Sequence, residues 1–223
     1  MKLTAEQIAE IDETLVLNGL IYEDIKLEVT DHIASEIEVT MNGNSISFET
    51  AFKKAFENLE RQLRPSSSFW TGSKNVAPRI VIQKLVFDTR KQFLVGLLFV
   101  FVLSLLFSLF LQNSKNGNLI EIGRNILRGI YLIEIALIIA SKYFVWKSKI
   151  ITSYKLLSKN LNPWAIVLLL FFGIGFMPIL PKTEDFKIIL ANSFLVSLYL
   201  YWPISYMFLI SKHFQFENKM KVL

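Results

Sequence analysis

Apolar residues recur every three or four positions through the first 64 residues, then run together in long unbroken stretches from about residue 93 onward. In the first part, Ile8, Ile11 and Leu15 share one face of a predicted helix, and Thr4 with Gln7 forms a capping box at its start. Gly19, after Asn18, suits the left-handed position that stops a helix. A second helix is predicted to start near Glu23 and Asp24, acids suited to a first turn. Its stripe is Ile25, Val29, Ile33 and Ile37 at i+4 spacing, and Asn42-Gly43-Asn44 ends it. Ser47 is placed to cap a third helix that carries Phe48, Phe52, Ala55, Phe56, Leu59 and Leu63 on one side, and Pro65 to Ser68 closes the domain. Three short amphipathic helices bury only a marginal core. The three phenylalanines are large enough to fill it, with a partner, a dimer mate or the membrane surface left to complete it.

The long apolar runs have membrane length. Phe93 to Leu111 is 19 residues without a charge, Trp164 to Leu180 is 17, and Ile188 to Ile210 is 23. As helices these reach roughly 25–35 Å, against a hydrocarbon core of about 30 Å. A fourth run, Ile126 to Val145, carries Arg128, Glu134 and Lys142. The two cations lie near its ends and can snorkel. Central Glu134 costs about 3 kcal/mol to insert, while the nine Ile and Leu residues of the run return roughly 4–5 kcal/mol. The fold class expected is therefore all-α: an acidic helical domain over residues 1–64, a linker and basic juxtamembrane segment over 65–92, and a four-span transmembrane bundle over 93–223. The spans fall at about 93–111, 126–145, 164–180 and 188–210. The stretch 79–92 is expected either as an interfacial helix or as an extension of the first span.

Charge orients this arrangement. The chain carries +5 overall, but residues 1–64 hold 6 Lys/Arg against 13 Asp/Glu and the remainder 18 against 6. Placing the N-terminus in the cytoplasm puts 13 cations of the membrane part inside and 5 outside, which favours four spans with both termini inside. Lys147, Lys149, Lys155 and Lys159, with no acid among them, are expected to contact anionic lipid headgroups. The acidic domain would repel nucleic acid, so none is expected as a partner. No signal peptide is expected, and the first span serves as its own insertion signal. With no Cys, disulfides, thiolate metal sites and Cys nucleophiles are excluded. Trp146 and Trp164 read as an interfacial belt, and Tyr201 and Trp202 as packing residues. Pro203 is expected to kink the last span, and Gly173, Gly175 and Pro178 to loosen the third.

Candidate chemistry is sparse. His32 has Glu28 and Glu36 at i−4 and i+4 on one helix face. The expectation is an imidazole packed beside Ile33 and tied to an acid; pH sensing is the alternative, and a divalent metal would need further ligands that are not evident. Glu134 is the sharpest polar outlier, expected to be protonated or bonded to Ser104, Ser193 or Ser197. Arg128 is about 240° around the helix from it and cannot be its partner in the same helix. No phosphate-binding glycine loop, zinc-protease element or serine elbow is present, so neither an enzyme nor a cofactor is expected.

Tyr22-Glu23-Asp24-Ile25, Asp31-His32-Ile33, Gly43, Ser47 to Ala51, Ala55 and Leu59 together resemble the small HAAS-like and permease-prefix domains that precede membrane helices in bacterial proteins. The resemblance covers roughly residues 5–62 and does not reach the spans. Leu59-Glu60-Arg61 replaces the usual Leu-Gly-Asp ending, and Met41 to Ser45 is more polar than usual. It implies a cytoplasmic regulatory or protein-interaction module anchored in the bacterial cytoplasmic (inner) membrane, some relatives being partners of transcription regulators. The function expected is a non-enzymatic regulator or adaptor that binds a cytoplasmic protein through residues 1–64, with a homo-oligomer allowed. The alternative is a small transporter, or an accessory subunit of one, that uses Glu134.

Overall fold

A computed structural model describes residues 2–114, 117–159, 163–176, 179 and 185–222 of the chain. Helix α1 (Ala5–Leu17) begins at the expected capping box. The Thr4 hydroxyl accepts from the Gln7 amide at 3.3 Å, and the Thr4 amide donates to the Gln7 side chain at 2.9 Å. Two donors at this end of the helix are thereby paired. Gly19 follows at φ +86°, where a β-carbon would be strained. Helix α2 (Glu23–Asn44) packs against both α1 and α3 (Phe48–Leu63). Ile11, Leu15, Ile25, Ile33 and Ile37 are buried.

The phenylalanines of α3 do not fill this core. Ala51, Ala55 and Leu63 are the buried positions, while Phe48, Phe52 and Phe56 are half-buried in a file with ring centroids 5.5 and 4.5 Å apart. Small residues at the contact let two helices approach closely, and i,i+4 rings then stack along their own helix. Ser47 precedes α3, but its hydroxyl meets Thr50 Oγ1 at 3.1 Å rather than a backbone amide. Between α1 and α2, the almost buried Lys26 ammonium lies 2.9 Å from Asp12 and 3.3 Å from Glu23. Burial opposes its charge, but the two carboxylates outweigh burial and raise its pKa above the usual lysine value.

After α3 the chain makes a small antiparallel pair, β1 (Pro65–Ser66) with β2 (Ala77–Pro78). The loop between them contains a 3₁₀ turn, Phe69–Thr71, with Thr71 buried. Helix α4 (Arg79–Asn113) then runs 35 residues without a break, so the stretch 79–92 is a helical extension of the first apolar run. Helices α5 (Gly117–Lys147), α6 (Ser153–Ser158), α7 (Pro163–Gly173) and α8 (Phe186–Val222) complete the described chain.

The chain divides into two compact units. Unit 1 takes in Met1–Thr89, Ser148–Asn160 and Gln215–Leu223; unit 2 takes in Arg90–Lys147 and Leu161–Phe214. Among the described residues three helices, α4, α5 and α8, are long and apolar enough to cross a membrane. The run predicted as a third span is helical over α7; Met177, Pro178 and Leu180 lie outside the described residues. Leu94, Leu98, Phe101, Ile133, Ile139 and Ile204 face outward from unit 2, an arrangement suited to hydrocarbon rather than water. Inside, Phe172 sits between Tyr131 and Tyr199, with centroids 5.5 and 5.2 Å away, and the Tyr131 hydroxyl donates to Val196 O at 3.0 Å.

Helix α8 continues past Pro203, which has no N–H to donate to the preceding turn. Just before it, the Tyr201 ring lies against Gly96 of α4, and its hydroxyl donates to Gln92 O at 2.8 Å. Ser205 donates to the Gln92 side chain at 3.2 Å. A β-carbon on Gly96 would collide with the Tyr201 ring, whereas one on Gly123 meets nothing within 4 Å. Gly96→Ala is expected to lower stability by about 1–3 kcal/mol through overpacking, while Gly123→Ala gains about 0.5–1 kcal/mol from helix propensity. Thermal unfolding of the detergent-solubilised variants checks both signs.

Candidate functional site

Three groups of polar residues carry the candidate chemistry. The first is Glu134 on α5. It is 7% exposed, and its Oε2 has no hydrogen-bond partner among the described residues. The serines expected to bond it do not. Ser104 donates to Phe101 O and Ser197 to Ser193 O, each back along its own helix, and Ser193 Oγ has no partner among the described residues. In a helix interior a hydroxyl reaches its own preceding carbonyl without crossing to a neighbour, so the local bond wins. Arg128 is turned away from this acid: Nη1 donates to Asn125 Oδ1 at 3.3 Å, and the guanidinium packs against Gly175. Gly175, at φ +81°, leaves room for it. One turn earlier, Arg124 Nε donates to Ile179 O at 2.9 Å.

The second group surrounds His32. Its ring is exposed rather than packed, and Glu28 and Glu36 do not close on it. Glu28 instead pairs with Lys84 of α4, Nζ to Oε2 2.6 Å, and Glu36 accepts from Asn58 of α3 at 3.4 Å. No cluster of three metal-ligating side chains occurs among the described residues. These side chains line a groove of about 860 Å³ in unit 1, bounded by α2, α3 and the start of α4. Ile25, Val29, Ile33, Leu59 and Ile80 supply its apolar walls.

The third group was not legible in the sequence. The stretch 148–160 is folded into unit 1. Asp24, in the first turn of α2, accepts from Ser153 N at 2.7 Å and from Ser153 Oγ at 2.5 Å. Ile151 O accepts from Glu23 N at 2.8 Å. Tyr154 donates to Asp88 at 2.8 Å, and Asn75 to Leu156 O at 3.3 Å. Thr152, Ser153, Tyr154, Leu156 and Leu157 are all buried. Burial, followed by the bond to Asp88, raises the Tyr154 pKa, so its proton stays on the phenol. Of the four lysines expected at lipid, Lys147, Lys149 and Lys159 are exposed, while Lys155 is half-buried and donates to Ser148 O at 2.6 Å. The available signal was the cluster of Tyr154, Leu156 and Leu157 between the lysines, which marks a surface to be covered.

No protein-family model, no curated protein and no solved structure matches the chain.

Asp24 makes two charge-assisted hydrogen bonds to one residue 129 positions away. Each such bond is worth about 1.5–3 kcal/mol where its loss leaves a partner unpaired. Asp24→Ala is expected to loosen the 148–160 stretch by about 2 kcal/mol, a roughly 30-fold rise in its open population. Tryptic cleavage at Lys149, Lys155 and Lys159, timed against cleavage at Lys53 and Lys54, reads that change.

Proposed function

We propose that this chain is a four-span protein of a bacterial cytoplasmic membrane, with both termini inside, and a non-enzymatic regulator or adaptor whose small helical domain engages a cytoplasmic protein. The observation that carries it is the composition of unit 1. Its three stretches are separated in sequence by the apolar helices yet form one compact, charged body. Such a body cannot straddle hydrocarbon, so all three stretches lie on one side. An even number of crossings must then separate residue 89 from 148, and residue 160 from 215. Helices α4 and α5 supply the first pair. Helix α8 is one member of the second, and the reading takes α7 as part of the other crossing. The lysine bias puts the shared side in the cytoplasm, where the exposed Lys147, Lys149 and Lys159 meet lipid headgroups.

The regulatory reading rests on the same body. A partner held there touches a unit that also contains the loop between α5 and α7, so the loop and the partner are linked through one fold. The absence of Cys makes the topology directly testable. Single cysteines at Ser45 and Asn218 should react with an impermeant maleimide from the same side of sealed vesicles, and one at Leu119 from the other; Ser45 and Asn218 on opposite sides would refute the scheme. Photo-cross-linking of the full-length protein in cells should capture a cytoplasmic protein, and a clean blank removes the adaptor reading.

The unpartnered Oε2 of buried Glu134 favours one second reading, a small transporter or an accessory subunit of one. In that case Glu134→Gln abolishes a proton or ion flux in reconstituted vesicles and leaves thermal unfolding unchanged. An undiminished flux eliminates it.

A further inference from the structure

The geometry points to the groove between α2, α3 and the start of α4 as the docking site for a basic amphipathic helix of a partner protein. This deepens the adaptor reading and rests on it. The groove is apolar along its walls and polar along its rim. Its volume of about 860 Å³ corresponds to two turns of an α-helix, a cylinder about 11 Å long and 10 Å across. Leu59 and Ile80, both half-buried, offer the apolar contact that a helix face presents, over a floor formed by the buried Ile25, Val29 and Ile33. The rim decides which helix fits. Glu28, Asp31 and Glu36 face it against the single cation Lys84, a net charge of −2 with His32 neutral.

Those rim acids are only partly satisfied. Glu28 is paired with Lys84, Asp31 is exposed, and Glu36 has one long bond, 3.4 Å, from Asn58. An incoming lysine or arginine therefore finds Asp31 and Glu36 ready to pair, while an acidic helix or an anionic lipid meets repulsion. The net −7 of residues 1–64 extends the same preference beyond the rim. Ser35, Asn58, Gln62 and Gln83 add neutral hydrogen-bonding groups between the charges, so a partner's polar side chains also find acceptors and donors.

The test uses full-length protein in zwitterionic nanodiscs, with empty discs subtracted. Ser35→Cys places one environment-sensitive dye on the groove, and Ser45→Cys places it elsewhere on the same unit. The probe is a helical peptide of about 14 residues made of leucine and lysine at helical spacing, with a leucine–glutamate peptide of the same pattern beside it. The lysine peptide should give a saturable change at Ser35 and none at Ser45. The glutamate peptide should give none at either. Asp31→Lys with Glu36→Lys should weaken the response about tenfold or more, while Glu10→Lys with Glu49→Lys, which reverses two exposed acids outside the groove, leaves it within about twofold. Equal dye responses at the two sites, equal losses in the two double variants, or no response to the lysine peptide would each overturn the groove assignment. Cellular cross-linking separates this from the wider reading. A protein captured equally by wild type and by the Asp31, Glu36 double variant leaves the adaptor standing and removes the groove, whereas no capture by wild type removes both.

Discussion

Backbone amides and carbonyls cannot be left bare in hydrocarbon, and that constraint organises most of this molecule. It forces the apolar runs into long uninterrupted helices, α4, α5 and α8, whose polar groups are paired within the helix. Within these apolar helices the hydroxyls of Ser104, Ser108, Ser141 and Ser197 bond to carbonyls of their own helix. The same constraint makes the few polar groups that escape this rule conspicuous, Glu134 above all. The packing that remains between helices is supplied by shape. Gly96 makes room for Tyr201, Gly173 for Leu132 and Gly175 for Arg128.

The charged unit obeys a different economy. Its helices are short, and the core formed by α1, α2 and α3 would be small for a free-standing domain. Two features enlarge it. The loop with β1 and β2 closes back at Arg79, whose amide donates to Arg64 O at 3.0 Å. The stretch 148–160 then contributes Tyr154, Leu156 and Leu157, held by Asp24 and Asp88. A marginal domain is thus completed by a piece of the chain that follows α4 and α5 in sequence. Anything that binds this unit acts on a fold that includes that stretch, which is the physical basis for reading it as a regulator.

The acidic face of α2 is largely used up within the fold. Its carboxylates divide by position: Glu23 meets Lys26, Asp24 meets Ser153, Glu28 meets Lys84, and Glu38 accepts from Leu3 N. What is left over, Asp31 and Glu36, borders the groove. The surplus negative charge is therefore concentrated beside an apolar surface, which is the feature the proposed docking of a basic helix uses.

Some of this could be read directly along the chain, because it depends only on neighbours in sequence. The capping box at Thr4 and Gln7, the stop at Gly19, the start of α2 at Glu23 and the apolar length of α4, α5 and α8 are all local, and a helix is made from contacts three and four residues apart. What only the tertiary structure decided depends on residues brought together from far apart. Whether Phe52 or Ala55 faces α2 depends on how closely two helices approach. Whether Glu28 serves His32 or Lys84 depends on where α4 starts. Asp24 and Ser153 are separated by 129 positions, and no periodicity connects them. Sequence spacing determines which side chains share a face of one helix; only the packed chain determines what that face meets.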